Sequence, residues 1–282
     1  MNSDSVAALL TCHNRKQKTI QCLSSLFKHL PLCVVYLVDD GSTDETSDAI
    51  RKQFPQVNVI RADGNLYWSR GMRKAWAEAI RGNYEYYLWL NDDIELYPVF
   101  FQELMECLRY GEYQCIVSGL VEDFSKESIL YGGSNELKKK IRKSDVPQSI
   151  KYMNGNIVLI PKYVVDEIGI IDPVFHHDLG DVDYGLTAIE HGIKVFTTRI
   201  AVAAGYKNDI CRVRKWGYSL IPRLKVLHSP LGSPPNINFY FRKKHFGLYN
   251  ALSYCLFLYI INLMPDIIVG KLFGNKYKTN IT

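Results

Sequence analysis

The stretches VAALLT, CVVYLVDD and YEYYLWLNDD are apolar runs without the alternation of a half-exposed strand. A strand patterned this way is covered on both faces, and such strands belong to parallel or mostly parallel sheets with helices on either side. The stretches between and after them, KTIQCLSSLFKHL, GSTDETSDAIRKQF, MRKAWAEAIRG and PVFFQELMECLRYG, are patterned as helices. Ser42 with Glu45 three residues on fits a helix capping box, and Pro98 suits a first helical turn. GNLYWSRG reads as a loop. Repeated β-α alternation predicts an α/β fold with a mostly parallel central sheet flanked by helices. Further on, YQCIVSGLV and IKVFTT read as strands, SILYGGSNELKKKIRKSD as an excursion with a basic tip, and GDVDYGLTAIEHG as a helix.

The chain changes character near residue 208, so 1–207 is expected to be the main domain and 208–282 a basic, aromatic, helical extension. The net charge is +5, yet Ile210 to Pro265 carries no Asp or Glu while holding Arg212, Arg214, Lys215, Arg223, Lys225, Arg242, Lys243 and Lys244. Such a block points to an anionic partner: phosphate, anionic lipid or nucleic acid. The stretch 248–264, LYNALSYCLFLYIINLM, is marginal for crossing a bilayer because of its Asn, Ser and Tyr, and reads as a core or interfacial helix. The opening residues have too short an apolar run, and no basic lead, for a secretion signal. Seven cysteines without a CxxC pair read as reduced core residues of a cytosolic protein.

In open α/β sheets, ligands bind beyond the carboxyl ends of the strands. Three polar clusters fall there: Thr11 to Arg15, Asp39-Asp40-Gly41-Ser42, and Asn91-Asp92-Asp93. Each can be a turn, but together they point to a site. No glycine-rich phosphate loop of either common kind is present. A nucleotide would then need a hard divalent cation bridging its diphosphate to carboxylates. Asp92 and Asp93 are candidates, the cation offsetting their mutual repulsion. Tyr67 and Trp68 either stack on a base or sugar or pack internally, and Arg70 and Arg73 either reach a diphosphate or lie solvated. His176-His177-Asp178 lacks further ligands at zinc spacing.

The ordered set LLTCHNR, VYLVDDGSTDET, GNLYWSRGMRKAW, YLWLNDDIELYP, NGNIVLIPK and GDVDYGLTA resembles family-2 glycosyltransferases of GT-A fold. It is most similar to the bacterial rhamnosyltransferase-like branch that builds O-antigens and capsules. The resemblance implies inverting, metal-dependent transfer from a nucleotide-diphosphate sugar, UDP- or dTDP-linked, with Mn²⁺ or Mg²⁺. It implies a lipid-linked glycan acceptor and a cytoplasmic enzyme peripheral on the inner face of the cell membrane, with no nucleic acid partner. Thr11, Asn14, Arg15 and Arg70 would line the nucleotide pocket, and Asp40 would hydrogen-bond the base. Residues 91–93 stand where the family has D-x-D, so Asp93 would ligate the metal, with Asp92 near the ribose or sugar and as a second ligand. His228 would complete the metal shell. Trp68, Asn154, Gly155, Asn156 and Asp183 would shape the donor and acceptor pocket, although Asp183 also suits a helix dipole. Asp181 would be the catalytic base, with Gly180 where the family usually has Glu. Two rival readings are a sugar nucleotidyltransferase, which would want glycine and more cations after the first strand, and a non-catalytic carbohydrate- or nucleotide-binding relative.

Overall fold

The unbroken apolar runs become strands with helices on both sides. Residues 5–207 and 211–278 are described in this computed structural model. Val6–Cys12 (β1), Val34–Asp40 (β2), Asn58–Ala62 (β3) and Tyr86–Leu90 (β4) lie parallel in the order β3-β2-β1-β4. They are joined by Lys16–His29 (α1), Thr46–Gln53 (α2) and Tyr67–Ala79 (α3). After Glu95–Leu96 (β5) and Phe100–Tyr110 (α4) come Cys115–Asp123 (β6), Ile129–Tyr131 (β7), Gln148–Ser149 (β8) and Ile157–Pro161 (β9). Lys162–Ile168 (α5), Gly180–Glu190 (α6) and Lys194–Gly205 (β10) complete this part. Strand β9 enters antiparallel between β4 and β6, and β10 pairs parallel with β6. The result is a mixed, mostly parallel, GT-A-like sheet flanked by helices, with further helices at the C-terminal end.

Alternation along β1 explains the apolar run. Val6, Ala8 and Leu10 join one core with Cys22, Leu23 and Leu26 of α1, Ile50 of α2 and Leu104 of α4. Ala7 and Leu9 join the other core with Met72, Ala75 and Trp76 of α3 and Tyr184 of α6. Successive side chains point to opposite faces, so a strand covered on both needs apolar residues at every position.

Several local expectations change. Helix α2 starts at Thr46 after a left-handed Glu45, so Ser42 and Glu45 form no capping box. Asp44 accepts hydrogen bonds there instead, from the Thr46 backbone N–H and hydroxyl and from the Lys16 N–H. Helix α3 begins inside GNLYWSRG at Tyr67, and α4 starts at Phe100, two residues beyond Pro98.

Backbone packing divides the chain into two units, residues 5–173 with 180–207, and residues 174–179 with 211–278. The second unit holds Leu220–His228 (α7), Pro235–Leu263 (α8) and Asp266–Phe273 (α9). Its basic residues are not one surface. Arg214 is buried and donates to the carbonyls of Ile261 and Met264 and to Asp266. Arg223, also buried, donates to the carbonyls of Asn262, Met264 and Tyr218 and to Asp266. These guanidiniums satisfy carbonyls that the end of α8 leaves without helical partners. Arg242 stacks on the Tyr254 ring at 3.4 Å and donates to Asn250. Nor is 248–264 a core helix, because most of its outer side is exposed.

Gly41 holds the β2 end in place. At φ +70°, its Cβ would lie 2.7 Å from the Gly64 nitrogen and 2.8 Å from the Gly64 Cα. Gly41→Ala therefore meets both backbone strain and a clash with main chain, and should destabilise the fold by about 1–3 kcal/mol in urea unfolding. Gly64→Ala, whose added Cβ would meet nothing closer than 3.6 Å, carries the strain alone and should lose less.

Candidate active site

Strand β4 ends at Leu90, and the next three residues lie at the carboxyl edge of the sheet. Asp92 is 4% exposed, while Asp93 keeps partial access to solvent. One guanidinium nitrogen of Arg15 sits 3.2 Å from Asp92 Oδ1 and 2.9 Å from Asp93 Oδ2. The Thr19 hydroxyl, one turn along α1, donates to Asp92 Oδ2 at 3.2 Å. The repulsion within the pair is thus offset by Arg15 itself. Burial pushes the Asp92 carboxyl up to about 6, and Arg15 pulls in the opposite direction.

Asn91 works as a strut. Its side-chain oxygen accepts from Trp68 Nε1 at 2.8 Å, and its side-chain nitrogen donates to Asn156 Oδ1 at 2.8 Å. Its backbone N–H donates to the Asn156 carbonyl. Trp68 lies flush on the neighbouring glycine, since a Cβ on Gly155 would be 2.4 Å from the indole. Gly155 N–H donates to Asp181 Oδ2 and Val182 N–H to Asp181 Oδ1, both at 2.9 Å. Tyr184, one turn further on α6, packs on Trp76 and Trp89 with ring centroids 5.2 and 5.3 Å away. It seats the start of α6, and with it Asp181, against α3. Gly180 sits where a Cβ would be 2.5 Å from the Ser69 hydroxyl, so this position has no room for a glutamate side chain.

The structure thus brings together Arg15, Asp92 and Asp93, and separately Trp68, Asn156, Gly155 and Asp181, with Asn91 joining the two groups. Other expected residues have different partners. The Asp40 carboxylate is buried and accepts the N–H groups of Gly64, Leu66 and Tyr67 at 2.8–3.2 Å. It caps the start of α3. Tyr67 there has φ 58°, a strained value for a non-glycine residue. Thr11 packs beneath Gly71, whose Cβ would lie 2.3 Å from its hydroxyl. Asn14 bridges loops by accepting from Thr43 N–H at 2.8 Å, while its own N–H donates to the Ser42 hydroxyl. Arg70 donates to the Pro173 carbonyl and Arg73 to that of Ile171, so both clasp a loop. Asn154 Oδ1 accepts from Gly133 N–H, and Asp183 is buried.

His228 belongs to the second unit, with its Nε2 3.4 Å from the Tyr259 hydroxyl. His177, in the same unit, accepts from Arg212 at 2.8 Å. Among the described residues, no three His, Cys, Asp or Glu side chains gather to hold a metal. Asp92 has both oxygens engaged, by Arg15 and Thr19. Asp93 remains as one partly exposed carboxylate. That donor set fits a hard cation that takes its other ligands from phosphate oxygens and water. Sequence reasoning missed Thr19, Ser69 and His13. Thr19 was findable, since four residues after Arg15 puts it on the same helix face. His13 donates from Nδ1 to the Asp40 carbonyl, leaving Nε2 to accept from Asn14.

Residues 8–169 match the family model described as Glycosyl transferase family 2. No curated protein matches. Among the solved structures that share the fold are two of S. aureus TarS. "Crystal structure of S. aureus TarS 1-349" aligns at TM-score 0.54 and 12% identity, over 71% of this chain and 60% of that one. "Crystal structure of S. aureus TarS" aligns at TM-score 0.59 and 9% identity, over 95% of this chain and 45% of that one. The chain therefore spans less than two thirds of either relative's length, 60% and 45%.

The strand-end carboxylates lead to a pH prediction. Asp92 titrates near 6 when folded against an ordinary 3.8, so the folded chain holds this proton more tightly than the unfolded one. The stability it contributes is full below about pH 4 and is lost as pH rises through about 6. Asp92→Asn should flatten that part of the stability profile. Arg15→Gln removes the opposing charge and should move the Asp92 midpoint upward, as read by carboxyl-carbon NMR.

Proposed function

Because the chain belongs to glycosyl transferase family 2, we propose that it transfers a sugar, with inversion, from a nucleotide-diphosphate sugar to a lipid-linked glycan acceptor. The donor is UDP- or dTDP-linked, and the branch it resembles is the rhamnosyltransferase-like one of bacterial O-antigen and capsule assembly. Catalysis is assigned to residues 1–207 and acceptor handling to 208–282, with the enzyme on the cytoplasmic side, peripheral on the membrane.

The observation that carries this reading is the Asp181 carboxylate, held by two backbone N–H groups beside the Trp68 face. In inverting transfer, the acceptor hydroxyl oxygen bonds to the anomeric carbon from the side opposite the diphosphate. The bond to the diphosphate oxygen breaks and its electron pair leaves with the nucleotide. The hydroxyl proton passes to a carboxylate, and one positioned base suffices. Asp181 is assigned that role. The amides of Gly155 and Val182 fix the carboxylate's orientation, and Trp68, anchored by Asn91, offers an apolar face for a sugar ring. Arg15 supplies positive charge at the strand end where a diphosphate would lie. Asp93 would hold Mn²⁺ or Mg²⁺, which when bound neutralises diphosphate charge.

The test is nucleotide release from a panel of UDP- and dTDP-sugars with Mn²⁺, alongside thermal-shift titration with the free nucleotides. Asp181→Asn keeps size and polarity but cannot take the proton. It should bind nucleotide like the parent while turnover falls by about 10²-fold or more. Parent-like turnover in this variant would remove Asp181 from the base role, and loss of nucleotide binding would assign the segment to the donor instead.

A further inference from the structure

We propose that the outer sides of α9 and of the second half of α8 form a docking face for an anionic lipid surface, lying along the membrane and not through it. Helix α8 passes the length and composition criteria of a membrane span, yet only 22% of its most apolar stretch is buried. It is broken at Gly247, which has φ 84° and ψ 169°. Residues 248–263 beyond the break are therefore a separate helical piece of about 24 Å, short of the ~30 Å bilayer core.

That piece is apolar nearly all round. Ala251, Leu258 and Ile261 face the unit's own core, together with Asn262, whose side chain donates to the Val213 and Leu258 carbonyls. The opposite side carries Leu248, Tyr249, Leu252, Leu256, Ile260 and Leu263, all exposed, with Tyr249 at 86% and Leu256 at 61%. At 100° per residue these six fall within one continuous stripe. Helix α9 repeats the pattern: Val269 is buried, while Ile267 and Leu272 are 74% and 61% exposed. Helices apolar on both sides belong in a protein core or in lipid, and among the described residues only the inner side of this one has protein against it. The inner side cannot turn to lipid without exposing Asn262 and the arginine network at the α8 end.

Charge selects the occupant. From residue 211 to 278 the sole acidic residue is Asp266, and it is engaged by Arg214 and Arg223. The exposed cations that flank the stripe in sequence are Lys243, Lys244, Lys271, Lys276 and Lys278. A second copy would bring like charge against like charge, whereas an anionic headgroup layer meets lysines at its surface and takes the apolar side chains beneath. The buried positions of Arg214 and Arg223 and the stacking of Arg242 make the apolar stripe, not the arginines, the principal contact.

The inference rests on the lipid-linked acceptor for its purpose, but flotation without nucleotide reads the surface alone, so its failure leaves the transfer chemistry untouched. The full chain is floated with vesicles of phosphatidylcholine alone, or of phosphatidylcholine and phosphatidylglycerol in equal parts, at low and high salt. The parent should float with the anionic vesicles, and high salt should weaken but not abolish binding, because apolar insertion is not screened. Leu252→Ser, Leu256→Ser and Ile267→Ser combined should lower vesicle affinity at least ~10-fold with Tm unchanged, the side chains being exposed. Should the triple variant lose its fold, Ile267→Asp alone should show the same direction. A parent that floats with neither vesicle, or variants that float like the parent, would overturn the proposal. So would a concentration-dependent dimer abolished by the same substitutions, which would assign the face to a second copy.

Discussion

A carboxylate buried at the end of an apolar strand must be compensated on the spot, and the site is organised around that requirement at Asp92. Without partners, the desolvated charge would cost several kcal/mol or stay protonated. Arg15 and Thr19 supply the compensation, and both sit at the start of α1. Their register ties α1 to the ends of β1 and β4. The same guanidinium holds Asp93 close to its like-charged neighbour, leaving that carboxylate partly open to solvent. Asn91 then carries the order sideways to Trp68 and Asn156, and so to the loop whose Gly155 orients Asp181.

Asp40 plays a parallel role at the end of β2, on the other side of β1 from β4. Its carboxylate gathers three backbone N–H groups at the beginning of α3, where the helix dipole favours negative charge. This holds Tyr67 in a left-handed conformation and sets the angle at which Trp68 leaves the chain. Two buried aspartates, at strand ends on either side of β1, therefore fix the start of α3 with its indole face and the start of α1 beside the cationic Arg15.

The β-α alternation was legible because strand and helix periods differ and both sheet faces are covered. The antiparallel insertion of β9 was not, since a buried strand reads the same in either direction. The polar strand ends marked the location of the site, but not which oxygen faces a ligand. Asp40 and Asp92 look identical to Asp93 in sequence, and only burial and local N–H, hydroxyl or guanidinium donors separate them. The capping box at Ser42 failed because Asp44 competes for the same backbone with a better-placed carboxylate. Within the basic C-terminal block, too, burial separates residues that look alike in sequence. Arg214 and Arg223 serve the carbonyls at the end of α8, a partnership formed 39 to 50 residues away along the chain. Gly180 is explained only in three dimensions, by the Ser69 hydroxyl beside it.

We propose that the β4 strand end is a half-built cation site, with Asp93 as its protein ligand and a diphosphate as the missing half. Calorimetric titration of Mn²⁺ into the full chain, with and without saturating UDP or dTDP, tests it most directly. Little metal binding by the chain alone is expected, with clear binding once nucleotide is present, and nucleotide affinity should rise with metal by the same factor. Equally tight Mn²⁺ binding without nucleotide would contradict the account, because it would require a protein-built cage that these carboxylates do not form.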